Sequence, residues 1–268
     1  EALIGGINHA SLWSGTAASW VDLNPAGATA ARAYGASGTQ QVGDATVGGV
    51  PHASLWSGTA ASWVDLNPGA SLYSTAVATS ITQQVGFIRR ADGTFTRHAS
   101  MWSGTAASLV DLNPAGSTIS YASGAFGAQQ VGYAYVGNRS HASLWSGTAA
   151  SWVDLHPAGF VDSELIATSG TQQVGDAVFN GIAHAGLWSG TAGSWEDLSL
   201  ALPGGPSSWH NTQARSIWSD ANTLYIAGDG FNVAAGQDEA LLWTRPVPAP
   251  GTGVLFGLGG LVFTRRRR

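Results

Sequence analysis

The sequence predicts an all-β protein, a β-propeller of about six four-stranded blades, and three observations predict it. A block reading H-A-x-(L/M)-W-S-G-T-A-(A/G)-S-(W/L)-x-D-L occurs five times; its histidines are His9, His52, His98, His141 and His184, at spacings of 43, 46, 43 and 43 residues. A second block, Q-Q-V-G, falls between the copies at Gln40–Gly43, Gln83–Gly86, Gln129–Gly132 and Gln172–Gly175. No window sustains a 3.6-residue apolar period, and glycine interrupts every run within about ten residues. A period of this size, made of short apolar pieces and glycine turns, is the signature of propeller blades.

Each unit reads as four strands. The first is a small-residue run such as Ala30–Tyr34 or Ala76–Thr79, and the second is QQVGDATV or its counterpart. The third is HASLW, closed by Ser-Gly-Thr; the fourth is SWVDL, closed by proline at Pro25, Pro68, Pro114 and Pro157. Proline ends pairing there because it has no N–H to give. Alternation along the third strand sets His9, Ser11 and Trp13 on one face, with Ala10 and Leu12 on the other. The second tryptophan of each unit (Trp20, Trp63, Trp152, Trp195) is Leu109 in the third copy, which marks a core position requiring bulk. A degenerate sixth copy, Glu239–Trp243, has glutamate in place of histidine and no SWVDL-like fourth strand. At the other end Ala2–Ala10 aligns with Ala177–Ala185, so Glu1 is expected to fall inside a second strand, with seven blades possible in a longer chain. The repeat domain is therefore read as residues 1–245, truncated at its N-terminus.

Composition narrows the chemistry. The chain has no cysteine, which excludes disulfides, thiolate metal sites and cysteine nucleophiles. Residues 1–264 hold 16 acids against 7 arginines, a formal charge of −9, so nucleic acid is not the expected partner. No nucleophile elbow, phosphate loop, HExxH helix or dinucleotide fingerprint occurs, and no cofactor is called for.

Residues 246–268 form a separate segment. Pro248 and Pro250 lead into an apolar run from Gly251 to Thr264, and the chain ends on Arg265, Arg266, Arg267 and Arg268. A short hydrophobic helix is expected over the run. Fourteen helical residues span about 21 Å, less than the roughly 30 Å of a hydrocarbon core. Clustered arginines stay on the cytoplasmic side of a bilayer, which places the repeat domain outside the cytoplasm.

Two resemblances follow from these residues. The tail resembles the PEP-CTERM sorting signal of bacterial envelope proteins, with Ala249 standing where that family usually has glutamate. The resemblance implies export, transient anchoring in the membrane by the tail, and processing by an exosortase-type enzyme. The HA-x-x-W and D-L blocks resemble HAF-type repeats of extracellular bacterial proteins, which implies a propeller-like fold but no defined activity.

The repeated residues are the first site candidates. Each histidine travels with a tryptophan four residues on and an aspartate thirteen on: His9, Trp13, Asp22; His52, Trp56, Asp65; His98, Trp102, Asp111; His141, Trp145, Asp154; His184, Trp188, Asp197. A polar trio kept in every unit resembles the network that staples blades in WD-repeat propellers. A catalytic site breaks symmetry, so the trio is read as structural, with metal binding and catalysis as the lesser readings. Two carboxylate pairs, Asp162 with Glu164 and Glu196 with Asp197, are read as solvated loop charge. Residues 203–230 depart most from the pattern and are read as an insertion in the last blade. Trp209, His210 and Asn211 there form a candidate ligand loop, Trp209 offering a stacking face for a sugar. Asp220 and Asn222 suit an Asx turn better than a calcium site. The expected function is a non-catalytic binding or structural protein of the envelope or extracellular matrix, with polysaccharide or envelope proteins as partners. The alternative is a propeller hydrolase or lyase acting on extracellular polysaccharide.

Overall fold

The computed structural model describes residues 1–69, 71–91, 96–247 and the backbone of 262–263. The chain is all-β, as expected, and the described residues contain no α-helix. It divides into two compact units, Glu1–Asn138 with Trp145–Trp152, and Arg139–Leu144 with Val153–Arg268.

In the first unit, β1 (Ala2–Ile4) pairs with β2 (Ile7–His9), and β3 (Ser11–Leu12) with β4 (Val21–Asp22). Two four-stranded antiparallel sheets follow. One is β5 (Ala30–Ser37), β6 (Gln40–Val47), β7 (Val50–Trp56) and β8 (Val64–Asp65). The other is β9 (Ser71–Thr79), β10 (Gln84–Arg90), β11 (Arg97–Trp102) and β12 (Val110–Asp111). The hairpin β13 (Ser120–Phe126) and β14 (Gln129–Val136) completes the unit. In the second unit, β15 (Arg139–Trp145) pairs through Ser143 and Leu144 with β16 (Val153–Asp154). Its two four-stranded sheets are β17 (Asp162–Thr168), β18 (Gln173–Phe179), β19 (Ile182–Trp188), β20 (Glu196–Asp197), and β21 (Trp209–Ser219), β22 (Thr223–Asn232), β23 (Gln237–Pro246), β24 (Val262–Phe263).

The predicted order of strands within a repeat holds, with two corrections. The fourth strand is only two residues long, because Ala-Ala-Ser before it winds into one 3-10 turn, as at Ala60–Ser62. Ser62 drives that turn: its hydroxyl donates to the Thr59 carbonyl at 2.6 Å and accepts the Ser57 N–H at 2.7 Å. The second correction concerns residues 203–230, most of which are β21 and β22, the first two strands of the last sheet, so the departure there is in sequence and not in fold.

The glycine of Q-Q-V-G is dictated by a bulge. The first strand of each sheet shifts register opposite it, at Ala33/Gly35 and Leu165/Ala167 for example, and pushes a carbonyl inward. A Cβ at Gly43, Gly86, Gly132 or Gly175 would lie 1.8–2.0 Å from the carbonyl oxygen of Arg32, Thr75, Tyr121 or Glu164. Gly228 takes the same place in the last sheet, 2.0 Å from Gln213 O, although Q-Q-V-G is lost there.

Tryptophan from one sheet fills the core against the sheet before it. Trp56 packs with Ala10, Leu23, Ala31 and Ala45; Trp102 with Val42, Ala53, Leu55 and Leu66. Trp145 does the same with Val85, Ala99, Met101 and Leu112. In the second unit Trp243 joins Val174, Ala185, Leu187 and Leu198. Each of these indoles is essentially fully buried, worth about 4–6 kcal/mol by area as an upper bound. Trp13 is 45% exposed.

The expected C-terminal helix and the residues Pro248, Pro250, Arg265, Arg266, Arg267 and Arg268 lie outside the described residues. Within that segment Val262 and Phe263 are extended, not helical, and pair with Thr244 and Trp243. They fill the fourth-strand place for which the sequence shows no SWVDL block, and so cover an edge of β23 that would otherwise stay unpaired. Among the described residues, no helix is long and apolar enough to cross a membrane.

Candidate binding cleft

The repeated histidine and aspartate do meet. Nδ1 lies 2.8 Å from Oδ2 in His9–Asp22, His52–Asp65, His98–Asp111 and His141–Asp154, and 2.9 Å in His184–Asp197. The other carboxylate oxygen accepts the N–H two residues on, from Asn24, Asn67, Asn113, His156 or Ser199. The pair therefore ties the third strand to the turn after the fourth, inside one sheet. Two carboxylate expectations change accordingly. Asp197 is no loop charge but the partner of His184, and Glu196 pairs with Arg245.

The link to the next sheet is made by residues that the repeat block does not contain. Ser74 accepts the Ala53 N–H at 2.9 Å and donates to Asn67 Oδ1 at 2.6 Å; Ser120 bridges Ala99 and Asn113 identically. Ser163 and Thr212 accept from Ala142 and Ala185. Tryptophan contributes by packing and, at Trp188 and Trp243, by donating its indole N–H to the carbonyls of Leu155 and Leu198. The trio is thus a pair plus a separate wedge. Among the described residues no group of three or more histidine, aspartate or glutamate side chains is placed to hold a metal ion.

The candidate ligand loop is corrected by its burial. Trp209 is only 4% exposed and donates Nε1–H to Pro203 O at 3.0 Å, so it offers no face to a sugar. His210 sits in β21 opposite Phe231, and Asn211 Oδ1 accepts the Ala183 N–H. Asp220 makes the expected Asx turn, accepting from the N–H groups of Asn222 and Thr223.

Asymmetry lies elsewhere, in the residue after each bulge glycine and its cross-strand partner. In order these pairs are Arg32 with Asp44, Thr75 with Phe87, Tyr121 with Tyr133, Glu164 with Asp176 and Gln213 with Asp229. Asp44 is buried, accepts the Tyr34 hydroxyl at 2.8 Å, and has its pKa raised by that burial. Asp176 is 4% exposed; burial, then the neighbouring Glu164, push it up to about 7, while Gln213 donates to it at 3.1 Å. Glu164 is likewise raised by burial, which corrects its reading as solvated loop charge. Asp162 does sit at a strand entrance, held by Arg139 and the Ser140 N–H.

At the positions that come between these two along the chain the residue is aromatic, Phe87 and Tyr133, and a cleft of about 470 Å³ opens in the first unit. Its walls are Tyr73, Arg89, Thr96, Arg97, Ile119, Tyr133 and Tyr135. Rings run in a chain: Tyr73 meets Phe87 edge-on at 5.8 Å, Phe87 meets Tyr121 at 5.0 Å, and Tyr121 stacks on Tyr133 at 5.7 Å. Arg89 lies over the Tyr73 ring at 5.6 Å and Arg97 over Phe87 at 5.1 Å, both within cation–π reach. Arg97 Nε also donates to the Tyr73 hydroxyl at 3.1 Å, and that bond raises its pKa. Among the described residues, the lining holds rings, hydroxyls and guanidiniums, with no carboxylate or imidazole.

None of these residues stands out in the repeat blocks. The signal that finds them is variation inside an otherwise constant stretch, where Q-Q-V-G is followed by Asp44, Phe87, Tyr133 and Asp176 in turn. No protein-family model matches the chain, and no curated protein sequence matches it.

Proposed function

We propose that this chain is an exported, non-catalytic binding protein of the bacterial envelope or extracellular matrix, its repeats forming a β-propeller of about six blades. The observation that carries the binding role is the tyrosine–arginine cleft, a concavity of the size small ligands occupy, lined by groups that hold a ligand. Successive four-stranded sheets joined by the same serine and tryptophan contacts support the propeller reading. Export and exosortase processing rest on the order of proline, apolar run and arginines in residues 248–268. Replacing Arg265, Arg266, Arg267 and Arg268 with serine, which leaves β24 in place, sends the protein into the medium on this reading; retention in the membrane overturns it. A panel of immobilised polysaccharides tests the binding role, with Tyr133→Ala abolishing capture.

A second reading, a hydrolase or lyase of extracellular polysaccharide, draws on Asp176, a carboxylic acid protonated near neutral pH beside Glu164. It ranks lower because Asp176 is buried under Gln213, away from any substrate. Release of reducing ends from a polysaccharide by the wild type, and its loss in Asp176→Asn, would reverse the order.

A further inference from the structure

We infer that the C-terminal segment has two exclusive stations, the fourth-strand place on β23 in water and the bilayer when anchored, so that anchoring strips β24 from the fold. The inference rests on the reading of that segment as a membrane anchor and adds what anchoring does to the repeat domain.

The pairing of β24 carries it. Val262 and Phe263 lie opposite Thr244 and Trp243, in the place that β8, β12, β16 and β20 hold in the earlier sheets. The same two residues belong to the apolar run that ends at Thr264, directly before the four arginines. Backbone groups that bond to β23 lie in the body of the protein and cannot at the same time lie in hydrocarbon. Spanning separates the stations further. With the arginines held on the cytoplasmic side, Val262 and Phe263 stand at the opposite end of the segment from Pro246, where β23 ends.

Register marks β24 as an exchangeable strand. In the sheets of the full repeat the fourth strand pairs with the serine and leucine of the third, as Ser54 with Asp65 and Leu55 with Val64. Trp243 is the counterpart of Trp56, so β24 pairs two residues further along its neighbour. The histidine–aspartate tie that fastens the other fourth strands has no histidine here, because Glu239 takes its place. Two paired residues without that tie are held by little besides their own ladder bonds.

Solvent selects between the stations. Leu261, Val262 and Phe263 favour an extended backbone, and pairing covers an edge of β23 that water would otherwise meet. Five glycines among the fourteen residues from Gly251 to Thr264 make a helix poor in water. Within a bilayer no water satisfies the backbone, and the run must bond to itself as a helix.

The test is a reversible lock on the full chain, which has no cysteine of its own. Thr244→Cys with Val262→Cys sets thiols on residues directly opposite, where Cα atoms about 4.5–5.5 Å apart suit a disulfide. Oxidation in water should cross-link this pair, while Ser216→Cys with Val262→Cys, three strands apart, should stay open. Flotation with phosphatidylglycerol vesicles then reads membrane binding. The reduced protein should float as the wild type does, and the oxidised protein at least about tenfold less, with recovery on adding dithiothreitol. No cross-link, or an equal one at Ser216, overturns the strand station and leaves the anchor reading standing. Equal flotation of oxidised and reduced protein overturns exclusivity and keeps the anchor. Flotation of neither the wild type nor the reduced variant overturns both readings.

Discussion

His98 Nδ1 and Asp111 Oδ2 lie 2.8 Å apart, and the pairing recurs in all five copies that carry the histidine. Burial works against the Asp111 charge, but the bonds from His98 and the Asn113 N–H, with Arg90 beside them, hold its pKa below the usual carboxylate range. A depressed carboxylate stabilises the fold above about pH 4 and loses that contribution as pH falls through its lowered value. His98→Ala should cost about 1–3 kcal/mol in urea unfolding at pH 7 and leave ligand affinity in the cleft unchanged. An affinity loss with unchanged stability would make the histidine a site residue and not a tie.

His156 stands where Asn67 and Asn113 stand in earlier repeats, and it stacks on His141 with ring centres 4.1 Å apart. Its Nδ1 meets Ser163 Oγ at 2.7 Å and its Nε2 meets Phe160 O at 3.1 Å. Burial, then the charge of His141, lowers its pKa. The folded state therefore resists protonation, so stability is full above about pH 6.5 and declines as pH falls. His156→Asn should flatten the stability profile between pH 5 and 7, as followed by thermal unfolding across that range.

Asp176 carries the opposite sign. With its pKa pushed up to about 7 among Glu164, Asp229 and Gln213, the fold holds a proton that the unfolded chain releases above pH 4 or so. Arg215, pairing with Asp229 nearby, offsets this only in part. Stability should fall as pH rises from about 4 through 7. Asp176→Asn should remove that slope and gain on the order of 2–4 kcal/mol at pH 8. An unchanged profile in denaturant unfolding at pH 5 and 8 would show that the carboxyl is ionised in the fold.

Tryptophans at the same place in the repeat should differ in worth. Trp102 is fully buried, so Trp102→Ala should cost about 3–5 kcal/mol. Trp13 is 45% exposed, and Trp13→Ala should cost less than half as much. Equal losses would mean that Trp13 is covered in solution.

The sheets are legible in the repeat. A strict repeat writes the same strand boundaries each time, and Gly48-Gly49 or Asn180-Gly181 close the hairpins because both residues need positive φ. The spacing of histidine and aspartate also foretold their pairing, since both lie on adjacent short strands of one sheet. Burial and neighbours across sheets were decided only by tertiary structure. Trp209 reads as a loop aromatic, yet it ends in a core beside Leu202 and Leu241. Arg89 and Arg97 are eight residues apart, on separate strands, and only the register sets them side by side. Phe87 and Tyr121 belong to different sheets, so their contact follows from how one sheet packs on the next. Local pattern fixes which atoms alternate along a strand; which of them meet is settled by pairing and packing over distances that a repeat does not encode.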